Sequence, residues 1–569
     1  AEAVAPNVYV NLRNDGIVEI VCHRSEMGQG IRTSLPQVIA DEMEADWDRI
    51  ELIQGLGDEK YGDQNTDGST SIRNQFDLLR NAGATAREML IAAAAATWDV
   101  PAAECNARDH AVHHAATRRS AGFGELVDAA SKLEPPADAP FKSREDYRYI
   151  GKAMDTIDGF AFTTGKAIYG IDAVLPDMLY ASIERCPAHG GKVVSFDATA
   201  AKAVAGVVDV VKLPEPTSPP LFNLLGGVAV LANNTWAAQR GREALEIEWD
   251  RGANGAHESE GYREALLASV RGPGAPVLTR GDVAAAFDSA ETTHEAIYYA
   301  PYLSQAPMEP PAALAHMTED GGCEIWACTQ NPQAAQDTVA GTLGIEKDQV
   351  KVHVTLLGGG FGRKSKPDYI AEAAWLARET GRPVKVTWTR EDDIRHGYLH
   401  SVSAQFLKAG IDADGSATSL LHRTCFPSIG STFDAAATGP GGFELDLGLL
   451  DNPYDFANMQ LETADAKAHL RIGWLRSVCN VFHAFALCGF VDELAQIAGE
   501  DPRDHLLKLL GESRQIDPAD DGAEYTNYGH PLDKHPIDTG RIASVVSKVS
   551  DMAGWGRPMA EGRGLGIAV

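Results

Sequence analysis

The stretch Leu357-Gly358-Gly359-Gly360-Phe361-Gly362-Arg363-Lys364 is the most distinctive segment of the chain. It follows an alternating apolar pattern that begins at Val350 and is typical of a strand, and it precedes a helical pattern. Three consecutive glycines permit a positive φ and a close approach of the backbone to a ligand. Arg363 stands where a P-loop requires glycine before the lysine, and the spacing also excludes a GxGxxG fingerprint. The segment is therefore either a tight strand-to-helix turn or a turn that binds an anion.

Four further segments carry small, hydroxyl, amide or cationic residues at positions suited to ligand binding. Ser25-Glu26-Met27-Gly28-Gln29-Gly30 and Gly68-Ser69-Thr70-Ser71 stand before helical patterns, where capping alone explains either one and oxyanion binding is the alternative. Ala327-Cys328-Thr329-Gln330-Asn331-Pro332 places amides at the end of a strand. Gly473-Trp474-Leu475-Arg476-Ser477-Val478 offers either a surface arginine or an Arg–Ser pair for a phosphate or a heterocycle.

Hydrophobic periodicity predicts a mixture of strands and helices, which favours an α+β fold. The predicted strands are 8–12, 18–22, 167–171, 179–183, 207–211, 227–231, 350–357 and 383–389. The predicted helices are 33–47, with Pro36 in its first turn, then 72–98, 481–497 and 502–510. His110, His113 and His114 are expected in a solvated loop or strand rather than at a metal.

Proline and glycine clusters divide the chain into three predicted units. A linker at Pro135, Pro136 and Pro140 ends an N-terminal unit, 1–140. A second unit spans 146–255, and the polar, glycine-containing stretch 252–274 is the predicted linker to a third unit, 270–569.

Composition excludes several classes of function. With 50 Lys and Arg against 80 Asp and Glu, the net charge of −30 argues against nucleic acid and against a basic membrane surface. The 8 cysteines form no CxxC, so iron–sulfur and structural zinc sites have no local support. The longest apolar stretch, near 89–98, is about half of the ~20 residues that a membrane span needs, and no transmembrane helix is expected.

Together these segments resemble the molybdenum-cofactor subunit of the xanthine oxidase family. Within that family the chain is similar to the isoquinoline 1-oxidoreductase β subunits, a group that also includes membrane-associated aldehyde dehydrogenases. The matching segments are the glycine–phenylalanine loop 358–364, Thr329-Gln330-Asn331, Met308-Glu309-Pro310, Arg476 and the helix 484–495. In most of the family the Met-Gly-Gln-Gly segment lies late in the chain, whereas here it comes first, as in the isoquinoline type.

The resemblance implies a multi-domain, xanthine-oxidase-type molybdopterin-binding fold with a permuted N-terminal segment. It also implies that separated loops hold the cofactor, with Phe361 beside the metal and with no protein ligand to the metal. The implied cofactor-binding residues are Gly28, Gln29, Gly30, Gly68, Ser69, Thr70, Ser71, Gln330, Gly359, Gly360, Phe361, Gly362, Arg476 and Ser477.

The implied cofactor is molybdopterin with molybdenum, in the cytosine dinucleotide form. Because the chain has no clustered cysteines, the [2Fe-2S] and haem c centres of the family are expected on partners, a small iron–sulfur subunit and a cytochrome c subunit. The implied location is the periplasm, with attachment to the inner membrane through a partner. The start at Ala1, without a leader, fits either a removed signal peptide or a trimmed chain.

The family's catalytic glutamate lies in a Gly-Glu-Pro segment near the C-terminus, and no matching segment occurs before Val569. Gly499-Glu500-Asp501-Pro502 corresponds only to a connection between two helices. We therefore expect no catalytic residue among residues 1–569, and a third unit that lacks its C-terminal portion. The base is expected either in a continuation of the chain or on a second polypeptide.

The implied activity is oxidation of an aldehyde to a carboxylic acid, with water as the oxygen source and an iron–sulfur partner as electron acceptor. Two alternatives stay open: hydroxylation of an N-heteroaromatic compound, and a non-catalytic cofactor-binding subunit. The sequence does not distinguish the substrates, because the residues that line the substrate pocket cannot be placed from the resemblance.

Overall fold

The computed structural model describes residues 1–569 and contains six β-sheets with helices packed against them. The predicted α+β class is confirmed. The strands are β1 Ala3–Asn7, β2 Val10–Arg13, β3 Val18–Cys22, β4 Ile50–Gln54, β5 Cys105–Arg108, β6 Ala111–His114, β7 Arg119–Gly122, β8 Leu179–Glu184, β9 Lys192–Asp197, β10 Val207–Lys212, β11 Val228–Ala232, β12 Glu246–Asp250, β13 Ala275–Arg280, β14 Thr292–Ala300, β15 Ala312–Met317, β16 Cys323–Ala327, β17 Val350–Val354, β18 Val384–Thr387, β19 Ser403–Ile411, β20 Ala417–Cys425, β21 Asn458–Ala464, β22 Gln515–Ile516 and β23 Ile537–Asp538.

The helices vary from single turns to six turns. They are α1 Ile31–Met43, α2 Thr70–Arg73, α3 Phe76–Trp98, α4 Val127–Ala130, α5 Gly159–Thr164, α6 Thr199–Lys202, α7 Thr235–Glu243, α8 Ser259–Arg271, α9 Val283–Ser289, α10 Pro332–Leu343, α11 Asp368–Thr380, α12 Arg390–His396, α13 Gly442–Leu445, α14 Asn480–Ala498, α15 Pro502–Leu510 and α16 Thr539–Ala553.

The N-terminal unit is a four-stranded sheet, ordered β1-β2-β3-β4, with α1 and α3 packed together beside it. The predicted strands 8–12 and 18–22 correspond to β2 and β3, which pair antiparallel. Val18 and Ile20 are buried because alternate residues of β3 face the core. Helix α1 begins two residues earlier than predicted, so that Pro36 lies beyond the first turn. It ends at Met43, because Glu44 adopts a left-handed backbone conformation.

The sheet with the most strands has seven, ordered β10-β11-β8-β18-β15-β16-β17. It joins strands from both sides of the predicted linker at 252–274, and the division into units stays a prediction. Strands β16 and β17 are parallel, with Ala327 opposite Val354, so both end at the same edge of the sheet. The Thr329-Gln330-Asn331 segment and the glycine loop leave the sheet at that edge.

Two predicted elements are wrong. The predicted linker 252–274 contains helix α8, which buries Leu266 and Val270 through an otherwise polar sequence. The predicted strand 167–171 is reduced to a single bridge between Tyr169 and Leu356, because a 3-10 turn begins at Gly170. His113 and His114 lie on β6, in agreement with the expected strand, but His110 and His114 are buried, so the expectation that this cluster is solvated is wrong for these two.

The remaining large sheet, ordered β13-β21-β20-β19-β14, carries α14 and α15 on one face. Helix α14 is long and apolar enough to cross a membrane by length and composition, whereas the longest apolar stretch was expected near 89–98. Half of its apolar window is buried within the protein, where Phe490 and Leu494 join the core against this sheet.

Gly83 sets the distance between α1 and α3. A Cβ atom at Gly83 would lie 2.5 Å from Ile39 O and 2.8 Å from Glu42 Cβ. We expect Gly83→Ala to lower the free energy of unfolding by about 1–3 kcal/mol, because the helices must separate. A Cβ atom at Gly341 on α10 would meet no atom within 4 Å, so Gly341→Ala should raise the free energy of unfolding by about 0.5–1 kcal/mol. Urea denaturation of both variants tests this, and equal shifts would contradict the close crossing.

Candidate functional site

Gln330 joins three chain segments at the edge where β16 and β17 end. Its side-chain oxygen accepts from Gly362 N at 3.0 Å, and its Nε2 donates to Thr66 O at 2.8 Å. Its backbone N donates to Lys364 O at 2.9 Å, and its backbone O accepts from Thr66 N at 2.9 Å. Gln330 is buried, so these bonds are shielded from water and fix the glycine loop against the N-terminal unit.

The basic residues that end the glycine loop point into the protein and hold the loop from behind. Lys364 is fully buried and its Nζ lies 2.7 Å from Glu309 Oε2, which also accepts from Gly358 N at 3.0 Å. Arg363 is likewise buried and pairs with Asp368 at 2.9 Å. Burial raises the pKa of Asp368, but Arg363 and Arg471 outweigh it and hold that pKa below its usual value. These cations are therefore committed to carboxylates and not to a bound anion.

The Ser25–Gly30 segment docks against the same edge. Ser25 Oγ donates to Thr329 O at 2.7 Å, Ser25 N donates to Thr66 Oγ1 at 2.9 Å, and Leu357 N donates to Glu26 O at 2.9 Å. The Met27 sulfur lies beside Gly360. Residues that are about 300 positions apart in the sequence thus meet at one place.

The N-terminus of α1 is capped by the Glu26 carboxylate. Glu26 Oε1 accepts from Gly28 N at 2.9 Å and from Gly30 N at 3.0 Å, and Oε2 accepts from Arg32 N at 3.0 Å. A carboxylate suits this position because the helix dipole is positive there. The Gly28 and Gly30 N–H groups therefore already donate hydrogen bonds to Glu26. The helix is capped as expected, but by an acidic side chain and not by a hydroxyl group. Open space remains beside Gly28 and Gly30, whose φ values are +103° and +83°.

The Gly68–Ser71 segment was expected to cap the helix that follows it, and it does not. Ser69 has a φ of +58° and makes no side-chain capping bond to α2, so capping is wrong here. Thr70 Oγ1 instead donates to Asp67 O at 2.9 Å. The segment is tied to the site through Thr66, and the exposed Ser69 hydroxyl is left available to a ligand.

Arg476 and Phe361 form the opposite wall of the site. Arg476 N donates to Phe361 O at 3.0 Å, and the guanidinium carbon lies 5.6 Å from the centre of the Phe361 ring. The Arg476 side chain is exposed and forms no ion pair within the chain. Phe361 and Ser477 have φ values of +56° and +74°, a strained conformation that is typical of ligand sites.

Sequence reasoning gave no role at this site to three residues, one of which, Trp474, lies in the segment quoted with Arg476. Thr66 pairs with Gln330 on both sides, Trp474 lies against Gly362, and the Lys366 ammonium lies 3.8 Å from the centre of the Trp474 ring. Lys366 lies two residues after the glycine loop, and a basic residue next to a turn that binds a ligand is a feature that the sequence alone could have indicated. Thr66 had no such signal, because only the fold brings its loop to β16.

A cavity of about 1010 Å³ near α3 contains none of the predicted cofactor residues.

Comparison with known proteins decides the family. Two family models described as molybdopterin cofactor-binding domain match residues 2–172 and 271–507. The β subunit of isoquinoline 1-oxidoreductase from Brevundimonas diminuta is 30% identical over 100% of this chain and 75% of its own length. The chain belongs to this molybdopterin-binding oxidoreductase family.

Other family members are similar to the chain over most of its length. The membrane-bound aldehyde dehydrogenase of Gluconacetobacter polyoxogenes is 31% identical over 98% of this chain and 72% of its own length. Among solved structures, quinoline 2-oxidoreductase from Pseudomonas putida 86 has a TM-score of 0.52 at 19% identity, covering 71% of this chain and 54% of that chain. Aldehyde oxidoreductase from Desulfovibrio gigas has a TM-score of 0.52 at 20% identity, covering 76% and 50%. These structures share the fold, and the chain spans about half of their length.

The residues at the site fit a molybdopterin cofactor. Open space borders Gly28 and Gly30, the Arg476 guanidinium is unpaired, and Gly360 has no room for a side chain. The two matched regions contain all the predicted cofactor residues, the first those at 28–30 and 68–71 and the second the others. The contact of each residue with the cofactor stays a prediction.

Gly360→Val tests the loop. A Cβ at Gly360 would overlap Gln330 Oε1 and lie 2.9 Å from Met27 Sδ. We expect a packing cost of about 1–3 kcal/mol, which corresponds to roughly 5- to 150-fold weaker retention of the cofactor. Metal analysis and pterin fluorescence of the purified protein measure this. Gly442→Val, where no atom lies within 4 Å, is the matched control. Full molybdenum content in the Gly360 variant would refute the prediction.

Proposed function

We propose that this chain is the cofactor-carrying component of a molybdenum-dependent oxidoreductase that converts an aldehyde to a carboxylic acid. The reaction is RCHO + H₂O → RCOOH + 2H⁺ + 2e⁻, and the electrons pass to an iron–sulfur partner. The bound cofactor supplies the oxygen-transfer and two-electron chemistry. The observation that carries the proposal is the meeting of Gln330, the glycine loop and Arg476 at one sheet edge, in a chain of this family.

The chain's own residues would bind and orient the cofactor. The Arg476 guanidinium is planar and unpaired, and it offers paired donors to a pterin edge or to a phosphate. Gln330 holds the loop at a fixed distance, and the absence of a side chain at Gly360 lets the loop pack directly against Gln330 and Met27.

We propose that the catalytic base lies outside residues 1–569, in a continuation of the chain or on a second polypeptide. Two carboxylates beside the loop are engaged: Glu26 caps α1, and Glu309 holds Lys364. Asp368 is bound by two arginines. Glu500 pairs with His505 and Lys508 at the connection between α14 and α15.

The finer assignments are part of the same proposal. The cofactor is the cytosine dinucleotide form of molybdopterin, and the partners are a small [2Fe-2S] subunit and a cytochrome c subunit. The names of two relatives, each called a subunit of its enzyme, support the existence of partner polypeptides. The name of the Gluconacetobacter relative supports membrane association, which we place in the periplasm and through a partner.

Hydroxylation of an N-heteroaromatic ring is the second candidate function. Two relatives are named for N-heteroaromatic compounds, the β subunit of isoquinoline 1-oxidoreductase and one of the subunits of nicotinate dehydrogenase from Pseudomonas putida, but these names do not favour this function over aldehyde oxidation. A non-catalytic cofactor-binding subunit is the third.

The experiment is to purify the native complex and to measure its molybdenum content and its dye reduction with benzaldehyde and with isoquinoline. We expect bound molybdenum, turnover of benzaldehyde, and one ¹⁸O from labelled water in the acid. Turnover of isoquinoline alone would establish the second function, and full molybdenum content without turnover the third. Residues 1–569 alone, loaded with cofactor, should be inactive, and activity near that of the complex would contradict an external base.

Arg476→Met tests the proposed cofactor contact. Because the side chain is exposed and unpaired, its removal should leave the thermal unfolding midpoint unchanged. A charge-assisted hydrogen bond of about 1.5–3 kcal/mol would be lost, so the molybdenum content at limiting cofactor should fall roughly 10-fold or more. Arg271→Met, at the exposed end of α8, is the control. Equal molybdenum content in both variants would show that Arg476 does not hold the cofactor.

A further inference from the structure

Two half-buried histidines from distant parts of the chain stack face to face, away from the glycine loop. His257 lies in the loop before α8 and His469 lies two residues before Arg471. Their ring centres are 4.7 Å apart, and the rings are inclined by only 15°. Tyr262, in the first turn of α8, meets both rings edge-on, at 5.1 Å and 5.3 Å. The two imidazoles are therefore packed against each other and held from the side.

Hydrogen bonds join three chain segments at this histidine pair. Asn254 Nδ2 donates to His189 O at 3.1 Å, in the loop between β8 and β9. Its Oδ1 is thereby left to accept from His469 Nδ1 at 3.0 Å, which places the single proton of the neutral His469 ring on Nδ1. The Tyr262 hydroxyl donates to Lys467 O at 2.6 Å. The loop before α8 thus fastens the β8–β9 loop to the segment 465–472.

The segment 465–472 leads from the histidine pair to the back of the glycine loop. Arg471 Nη2 lies 2.8 Å from Asp368 Oδ2, in the buried ion pair that also holds Arg363. Arg471 O accepts from Leu399 N at 2.9 Å, so the far end of the segment is fixed by the backbone. The histidine pair secures the near end of the same segment.

Stacking at 4.7 Å is compatible with one charged ring but not with two. Two like charges at this separation repel each other, so the second proton binds at a lower pH than the first. Burial lowers the pKa of His257, while Glu258 raises it. Burial also lowers the pKa of His469, and both His257 and Lys467 lower it further. The first proton is therefore favoured on His257, next to its carboxylate.

The other titratable groups around the pair do not offset a second charge. They are the hydroxyls of Tyr262 and Tyr302, whose ring lies 6.4 Å from that of His257, and the imidazole of His189 beyond Asn254. Burial raises the pKa of both tyrosines, so they stay neutral. Burial, and Arg471 after it, lower the pKa of His189 to about 3, so this ring adds no charge above that pH.

We propose that the stacked rings of His257 and His469 form a pH-sensitive clasp, which is closed while at least one ring is neutral and opens when both are protonated. The opened state binds more protons than the closed state, so the clasp is fully stabilising above the ordinary histidine pKa of about 6.5 and weakens as the pH falls below it. Opening frees the loop before α8 and withdraws a support from the segment that carries Arg471. The inference does not depend on which reaction the complex catalyses.

Hydrogen–deuterium exchange of the native complex, followed by mass spectrometry, tests the clasp. Exchange is compared at a pH of about 7.5 and of about 5.0, after correction for the intrinsic effect of pH on amide exchange. Peptides that cover 252–258 and 465–472 should exchange at least about tenfold faster at the lower pH, because each unit below the histidine pKa favours the opened state about tenfold for each proton gained. Peptides of α3 serve as the internal reference. Equal corrected rates at both pH values would overturn the proposal.

Two variants identify the group that titrates. His257→Phe keeps a flat ring in the stack and cannot be protonated, so both segments should stay protected at the lower pH. His353→Phe is the matched control, because His353 stacks on the Trp326 ring at 4.8 Å, a partner that does not titrate, and pairs with Glu324. This control should keep the acid response of the unaltered protein.

The outcome with His257→Phe decides between titration and packing. Loss of the acid response with normal protection at the higher pH would establish the clasp. An acid response that persists in this variant would show that another group titrates, and would overturn the proposal. Fast exchange at both pH values would show that the imidazole is needed for packing alone, and would overturn it as well.

Discussion

The side-chain amide of Gln330 is the interaction on which the site depends. An amide can accept and donate in opposite directions, and here its oxygen takes the Gly362 N–H while its nitrogen reaches Thr66 O. The first contact fixes the loop that follows β17, and the second fixes a loop of the N-terminal unit. A carboxylate or a lysine at this position satisfies only one of the two. The site is therefore assembled by one buried group with both polarities.

Rigidity behind the loop comes from buried ion pairs. Arg363–Asp368, Arg471–Asp368 and Lys364–Glu309 lie in the interior, where breaking one pair leaves an uncompensated charge at a cost of about 3–5 kcal/mol. That cost opposes any motion of the glycine loop toward or away from the chain behind it. The glycines then supply shape and not flexibility: Gly362 at φ +97° and Gly360 against Gln330 tolerate no side chain. A preorganised loop of this kind binds with little further loss of conformational freedom at the moment of contact.

Sequence reasoning succeeded where local chemistry decides the structure. Helix α15 begins at Pro502 and ends at Leu510 as predicted, because proline suits a first turn and the apolar positions recur at helical spacing. It failed where contacts between segments distant in the sequence decide the local structure. Helix α8 was predicted as a linker because only two of its residues, in a largely polar sequence, are buried. The cap of α1 is the Glu26 carboxylate, which reaches the helix because the chain turns back on itself before α1 begins. The family resemblance supplied the loop, Gln330 and Arg476, whereas Thr66 and Trp474 enter the site only through strand order and loop packing.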